Sequence, residues 1–331
     1  MTATTDSPTE ASTPSSPDIV SLLTRCRAQL TGAGAPFERV TVTVDGHDLQ
    51  AYRNAFPSLP ALINAGRAHG AREFMVYEGD RWTFDRFFNA VDAMAGRLQS
   101  ELGVRAGDRV AIAMRNRPEW AVAFAAVALL GAVPAPLNSY GLRDELMANL
   151  RDLKPGLLIC DAERFAHVAQ DLDGLGCRAV VLDGLPGQGA ADWAALTAPG
   201  APSVQPPELA PGDAALVLFT SGASSQAKGV LSTQLAVCQG LFNIDYIGAI
   251  SAMTSPEALA VIAEATSTAA AVRALGVGER SLQRLLAHAT GRPPAFWRSL
   301  ARIRQAVRSL EGPTPLAEVA ADHGFTDQAH L

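Results

Sequence analysis

The chain has 331 residues, 48% of them hydrophobic and 18% charged, which excludes a disordered polymer and leaves room for about two domains. The net charge of −6 is unevenly spread: residues 266–331 hold eight Arg against five acids, so that end is +3 and the remainder −9. An acidic body with a basic end points to nucleic-acid binding by the end alone.

The first 17 residues, MTATTDSPTEASTPSSP, lack a basic n-region and an apolar h-region and read as a disordered polar tail. Phe74–Tyr77 and Arg81–Phe84 flank Glu78-Gly79-Asp80, a hairpin signal. An amphipathic helix through Phe87, Phe88, Val91, Met94, Ala95 and Leu98 stops by Gly103. Strand Val110–Met114, helix Pro118–Leu130 and strand Val133–Leu137 follow, then helix Arg143–Asp152, strand Leu157–Cys160, helix Ala162–Asp171 and strand Ala179–Asp183. This βαβ alternation predicts an α/β fold with a doubly wound, mostly parallel sheet and flanking helices. Residues 185–213, rich in Pro, Gly and Ala, predict an irregular connection.

The apolar run Trp120–Leu137 is broken by Gly131, Pro134 and Pro136, so a buried helix and core strand are expected rather than a membrane span. Cys26, Cys160, Cys177 and Cys238 are scattered without CxxC spacing, which fits a reduced, cytoplasmic protein without a structural metal.

Strand Ala214–Phe219 enters the loop TSGASSQAKGV, residues 220–230. Backbone N–H groups, the hydroxyls of Thr220, Ser221, Ser224 and Ser225, and the cation of Lys228 together offer the donor set a polyphosphate needs. Lys228 is one of two lysines in the chain, the other being Lys154. The loop is not a Walker A, because Ala227 and Gly229 stand where Gly and Ser/Thr are required. A small-residue turn between strand and helix is the plain alternative. A helix is expected from Thr233 towards Ile250.

The loop resembles the T-S-G-T-T-G-x-P-K-G-V signature of the adenylate-forming family of acyl-CoA synthetases, luciferases and peptide-synthetase adenylation domains. The similarity extends back through Asn116–Trp120 and Gly131–Asn138 to about Trp82. The resemblance implies that Thr220, Ser221, Gly222, Ser224, Ser225 and Lys228 bind the β- and γ-phosphates of ATP. It also implies magnesium as a companion of the ATP, and a carboxylic acid or CoA as partners. Ser225 replaces a Gly of the signature, Ala227 its Pro, and Gln234 stands where a Thr-His pair usually follows. The family's Tyr-Gly-x-Thr-Glu segment is not found, and no lysine follows Lys228, so ligase catalysis is not expected.

Beyond about residue 255 the pattern becomes helical. Val272–Leu275, Gly276-Val277-Gly278 and Glu279–Ala289 read as helix, turn and helix. Leu282, Leu285 and Leu286 face a core, while Arg280 and Arg284 lie opposite with Gln283 beside them. Arg pairs with guanine and Gln with adenine, so this face suits the DNA major groove; a solvated surface helix is the alternative. GVGERSLQRLL, the Arg-rich helix Phe296–Leu310 and PLAEVAADHGFTDQAHL together resemble the AraC/XylS regulators. The resemblance implies base contacts from Arg280, Gln283 and Arg284, and a second reading helix, opened by Gln328 and His330, that the chain cuts at Leu331.

The expected organisation is a tail at 1–17, an adenylate-forming enzyme-like fragment at 18–255, and a truncated helix-turn-helix domain at 256–331. The expected function is an AraC/XylS-type DNA-binding transcriptional regulator fused to an acyl-CoA synthetase-like fragment. An ATP-dependent acid–CoA ligase and an inactive fused reading frame are the rivals. A sheet that ends after the loop would leave apolar edges, so self-association is expected as well.

Overall fold

The computed structural model describes residues 19–184, 191–204, 207–220 and 227–253, with isolated positions 299, 303 and 318. By packing, the chain divides into residues 40–243 and a second unit made of residues 1–39 and 244–331. The expected tail and, apart from positions 299, 303 and 318, the expected helix-turn-helix domain lie outside the described residues.

The described residues begin with α1 (Ile19–Thr31), then β1 (Arg39–Val44) and β2 (His47–Tyr52) form a hairpin. Its two turn residues, Asp45 and Gly46, have φ of 50° and 78°. Positive φ at both central positions is the turn that matches strand twist, and Asp-Gly is its strongest sequence signal. Next come α2 (Leu59–Ala65), β3 (Glu73–Tyr77) and β4 (Asp80–Thr83). The β3–β4 hairpin that the sequence predicts turns on Glu78-Gly79 in the same left-handed geometry, and Asp80, expected in the turn, is the first residue of β4.

Then α3 (Phe84–Ser100), β5 (Arg109–Ala113), α4 (Pro118–Leu129), β6 (Val133–Pro136), α5 (Arg143–Leu153), β7 (Leu157–Asp161), α6 (Ala162–Val168) and β8 (Arg178–Leu182) alternate. The Thr83 hydroxyl accepts from the Arg86 N–H to cap α3, and Pro118 opens α4, where its missing N–H costs nothing. The strands run parallel in the order β6-β5-β7-β8, with one further strand beyond β8.

Alternation along each strand divides the core in two. Val110, Ile112, Leu157, Ile159, Val180 and Leu182 point to one side, where Phe88, Met94 and Leu98 of α3 and Val122 and Ala126 of α4 cover them. Ala111, Ala113, Leu158, Cys160, Ala179 and Val181 point to the other, under Leu146 and Leu150 of α5 and Phe165 and Val168 of α6. Helices on both faces explain why these strands read as continuous apolar runs, and the doubly wound α/β expectation holds.

Residues 185–213 are not wholly irregular. They contain β9 (Ala191–Asp192), which pairs with β8 as the fifth parallel strand, and α7 (Trp193–Thr197), capped by the Asp192 carboxylate. Two residues of strand and five of helix are too short to show a period, so composition alone spoke for that segment. The chain then crosses α3 at Gly96, where a Cβ would clash with the Pro202 carbonyl. Glycine is needed there for backbone to pass backbone. The Arg97 guanidinium fixes the crossing by donating to the carbonyls of Leu196, Ala198 and Pro199.

The described chain closes with β10 (Ala214–Thr220), β11 (Lys228–Thr233) and α8 (Gln234–Met253). In the unit made of residues 1–39 and 244–331, Phe37 meets Tyr246 edge-on with ring centroids 5.4 Å apart, and Cys26 and Leu30 of α1 are buried.

Candidate functional site

The phosphate-loop candidate is carried by a hairpin. β10 pairs antiparallel with β11, and Thr220 opposite Lys228 is the last rung before the connection. The Thr220 hydroxyl donates to the Lys228 carbonyl at 3.4 Å, tying the two ends together. Residues 228–230, which the sequence places in the loop, are therefore strand. Ser221, Gly222, Ser224 and Ser225 lie outside the described residues, as do Arg280, Gln283, Arg284, Gln328 and His330. The structure thus brings together Thr220 and Lys228 of the named candidates.

Strand pairing fixes where Lys228 starts. Gly229 next to it faces Val217 and the Phe219 ring, and a Cβ there would touch both at 3.2–3.4 Å. Lys228 itself is exposed, and its ammonium makes no ion pair among the described residues. An uncompensated cation at the rim of a loop rich in hydroxyls fits a phosphate chain.

The base of the hairpin is locked by Gln234, a residue the sequence marks only as a departure from a motif. Its side chain is 1% exposed. The amide oxygen accepts from the Leu59 N–H at 2.8 Å, and the amide nitrogen donates to the Ala214 carbonyl at 3.1 Å. Its own backbone N–H donates to the Asp213 carbonyl at 2.8 Å. The Thr233 hydroxyl accepts from the Ala236 N–H, so β11 passes into α8 without a linker. One turn on, Gln239 accepts from the Tyr52 N–H and donates to the Tyr52 carbonyl, at 2.6 and 3.1 Å. Nothing in the local sequence announces this: the partners lie up to 187 residues away.

Other features are scaffold. A groove of about 810 Å3 runs between α3 and residues 197–204. Its Arg67 and Asp92 are spent on each other in a bidentate pair. Among the described residues no group of three His, Cys, Asp or Glu is placed to hold a metal ion. No described helix is long and apolar enough to cross a membrane. All four cysteines are free thiols. Burial pushes Cys177 and Cys238 up to about 11 and Cys160 further still, so these sulfurs are poor nucleophiles.

Comparison with known proteins matches residues 63–278 to the family described as AMP-binding enzyme, and residues 271–331 to a helix-turn-helix domain. An L-proline–[L-prolyl-carrier protein] ligase of Streptomyces coelicolor is 35% identical over 182 residues, covering 52% of this chain and 34% of the relative. A 2-succinylbenzoate–CoA ligase of Bacillus velezensis is 30% identical over 173 residues, covering 52% and 32%. The chain spans about a third of the length of these relatives. Two solved structures share the fold. The luciferase-like enzyme of the mealworm Zophobas morio matches with TM-score 0.52 and 18% identity, covering 59% of this chain and 46% of that one. The anthranilate CoA ligase AuaEII, in complex with anthranoyl-AMP, matches with TM-score 0.50 and 20% identity, covering 54% and 35%.

Proposed function

The chain belongs to the AMP-binding enzyme family through residues 63–278 and carries a helix-turn-helix domain over residues 271–331, and from that premise we propose that it is a DNA-binding regulator whose AMP-binding part holds nucleotide phosphates. The observation that carries the first half is a coincidence of position. The helix-turn-helix match falls on a stretch of net charge +3, while the rest of the chain sums to −9. Arg280, Gln283 and Arg284 are then the base-reading residues, and Arg302 on the following Arg-rich stretch is a phosphate contact. Selection from a random oligonucleotide pool tests this. Arg284→Ala should weaken binding by about 1–3 kcal/mol at one guanine-bearing position, whereas Arg302→Ala should weaken all sequences alike and flatten the salt dependence. No enrichment at any salt concentration sinks the reading.

The second half rests on Lys228 at the mouth of the hairpin. Thr220, Ser221, Gly222, Ser224, Ser225 and Lys228 would hold the β- and γ-phosphates of ATP. Magnesium would arrive on the nucleotide itself, keeping most of its waters, since the described residues offer no carboxylate cage for it. A carboxylic acid as the group joined, and CoA or a carrier protein as its acceptor, are the partner classes that the relatives' names suggest. For the 331-residue chain the expected outcome is ATP binding without ATP–pyrophosphate exchange, because no lysine follows Lys228 to stabilise the developing charge. Exchange above background that disappears in Lys228→Ala would reverse this in favour of a ligase.

A further inference from the structure

The hairpin that carries Lys228 ends in an open edge. β11 has β10 on one side and, among the described residues, no strand on the other. Its six residues, Lys-Gly-Val-Leu-Ser-Thr, include no proline and no acid to block a neighbour. Such an edge is a template for another strand. We propose that β11 pairs antiparallel with β11 of a second copy of this chain, giving a four-stranded sheet β10-β11-β11-β10. The idea needs neither nucleotide nor DNA binding.

Apolar side chains stand in water beside that edge. Val230 lies directly opposite Leu218 of β10, so the two share one face, and they are 49% and 46% exposed. Leu231 lies opposite Val217 on the other face and is 58% exposed. α5 touches β11 without covering these side chains. Charge selects a second copy as the partner. Residues 1–265 sum to −9, so two copies repel across most of their surface. β10 and β11 carry one charge between them, Lys228, and like can meet like along this strip. A basic partner would be drawn to the acidic surface elsewhere.

The side chains also select a register. With Val230 opposite Val230 of the second copy, the Leu218 faces of both copies lie on the same side; a slip of one residue would put them on opposite sides. Leu218 and Val230 of each copy then form one apolar row across four strands. Lys228 falls opposite Ser232 rather than another Lys228, which avoids like charges across a rung. Leu231 falls opposite Gly229, which brings no side chain of its own and is flanked by Val217 and the Phe219 ring. Centring the pair on Leu231 instead would draw in Thr233, whose hydroxyl caps α8. One short strand from each copy makes a small interface, so the dimer is weak. In dilute solution the monomer prevails and the hairpin side chains stay in water.

The test is sedimentation equilibrium of the full chain from sub-micromolar to sub-millimolar concentration. The protein should pass from monomer to dimer and stop there, since a two-fold contact closes on itself. Val230→Lys sets two ammonium groups opposite each other and should weaken dimerisation at least about tenfold, while the melting curve of the dilute protein stays in place. Cysteine crosslinking reads the register independently. Under mild oxidation Val230→Cys should join two copies, because directly opposed Cα atoms lie about 4.5–5.5 Å apart, whereas Leu231→Cys should not, its twin lying beyond about 7 Å. The four native cysteines are buried and give little background. A monomer over the whole range, a dimer indifferent to Val230→Lys, assembly that continues past two copies, or Leu231→Cys crosslinking ahead of Val230→Cys overturns the proposal.

Discussion

The parallel sheet and the β10–β11 hairpin are made of comparably apolar strands, yet they are packed in opposite ways. In the sheet, Ile112, Ile159 and Val180 are fully buried on one face while Ala111 and Cys160 are fully buried on the other. In the hairpin, Ala215 and Val217 are buried, but Leu218, Val230 and Leu231 stand 46%, 49% and 58% exposed. Both faces of the sheet are covered by helices; among the described residues only part of the hairpin is covered. The residue that points to phosphate chemistry, Lys228, sits in the second element, and the groups that hold the first contribute packing. Binding elements are drawn from the less stable parts of folds, supported by rigid ones, and the contrast follows that rule.

The sharpest way to break the contrast is to hollow out each element in turn. Ile159→Ala removes atoms from a site with helices on the same face, so the cavity term adds to the transfer term, about 2–5 kcal/mol in all. Leu231→Ala removes atoms already in water and should stay within about 0.5 kcal/mol. Urea unfolding at constant slope reads both. Losses of similar size would mean that the hairpin is covered in solution.

A smaller effect is expected where the two elements meet. Gln234→Leu keeps the volume but strands the Leu59 N–H and the Ala214 carbonyl, which costs about 1–3 kcal/mol. The loss should be local: amide exchange should quicken along β10 and the start of α8 before it does in β7. Uniform acceleration would show that the amide staples the whole unit rather than the hairpin.

How much of this was legible follows from range. Between Phe74 and Asp183 every expected helix and strand is present with ends shifted by a few residues, because βαβ units write their period locally. The β1–β2 hairpin carried a signal, Asp45-Gly46 between alternating residues, that composition-led reading passed over. α7 and β9 were beyond reach, being shorter than any period. In the candidate site, the motif located Lys228 but placed it in a loop, whereas its neighbours Val230 and Leu231 are β-formers that extend the strand back to it. The role of Gln234 was not legible at all, since its side chain bridges residues 20 and 175 positions away. The resemblance treated it as a loss, and the structure shows what the amide does instead.

The sheet should also show itself in alkali. Cys160 and Cys177 pack on the α5–α6 side, and burial raises Cys177 from its ordinary value of 9.0 to about 11. The folded state keeps this thiol protonated where the unfolded chain releases its proton. Its contribution to stability is therefore complete below about pH 9 and is lost as pH rises through 11. Cys177→Ala should flatten the decline in melting temperature across that window. An unchanged decline would assign alkaline loss to other groups.

The smallest effect on stability should accompany the largest on binding. Lys228 is exposed at the end of an edge strand and pairs with Thr220 through backbone alone, so Lys228→Ala removes no buried contact and should shift stability by no more than about 0.5 kcal/mol. The same change deletes the one ammonium at the loop, and ATP affinity should fall while the melting curve stays in place. Thr220→Val serves as the control: it removes one hydroxyl bond across the same rung and leaves the charge. If Lys228→Ala and Thr220→Val weaken ATP binding equally, the loop acts through its shape rather than its cation. If Lys228→Ala lowers the melting temperature as far as Ile159→Ala does, the hairpin belongs to the rigid scaffold and the contrast with the sheet dissolves.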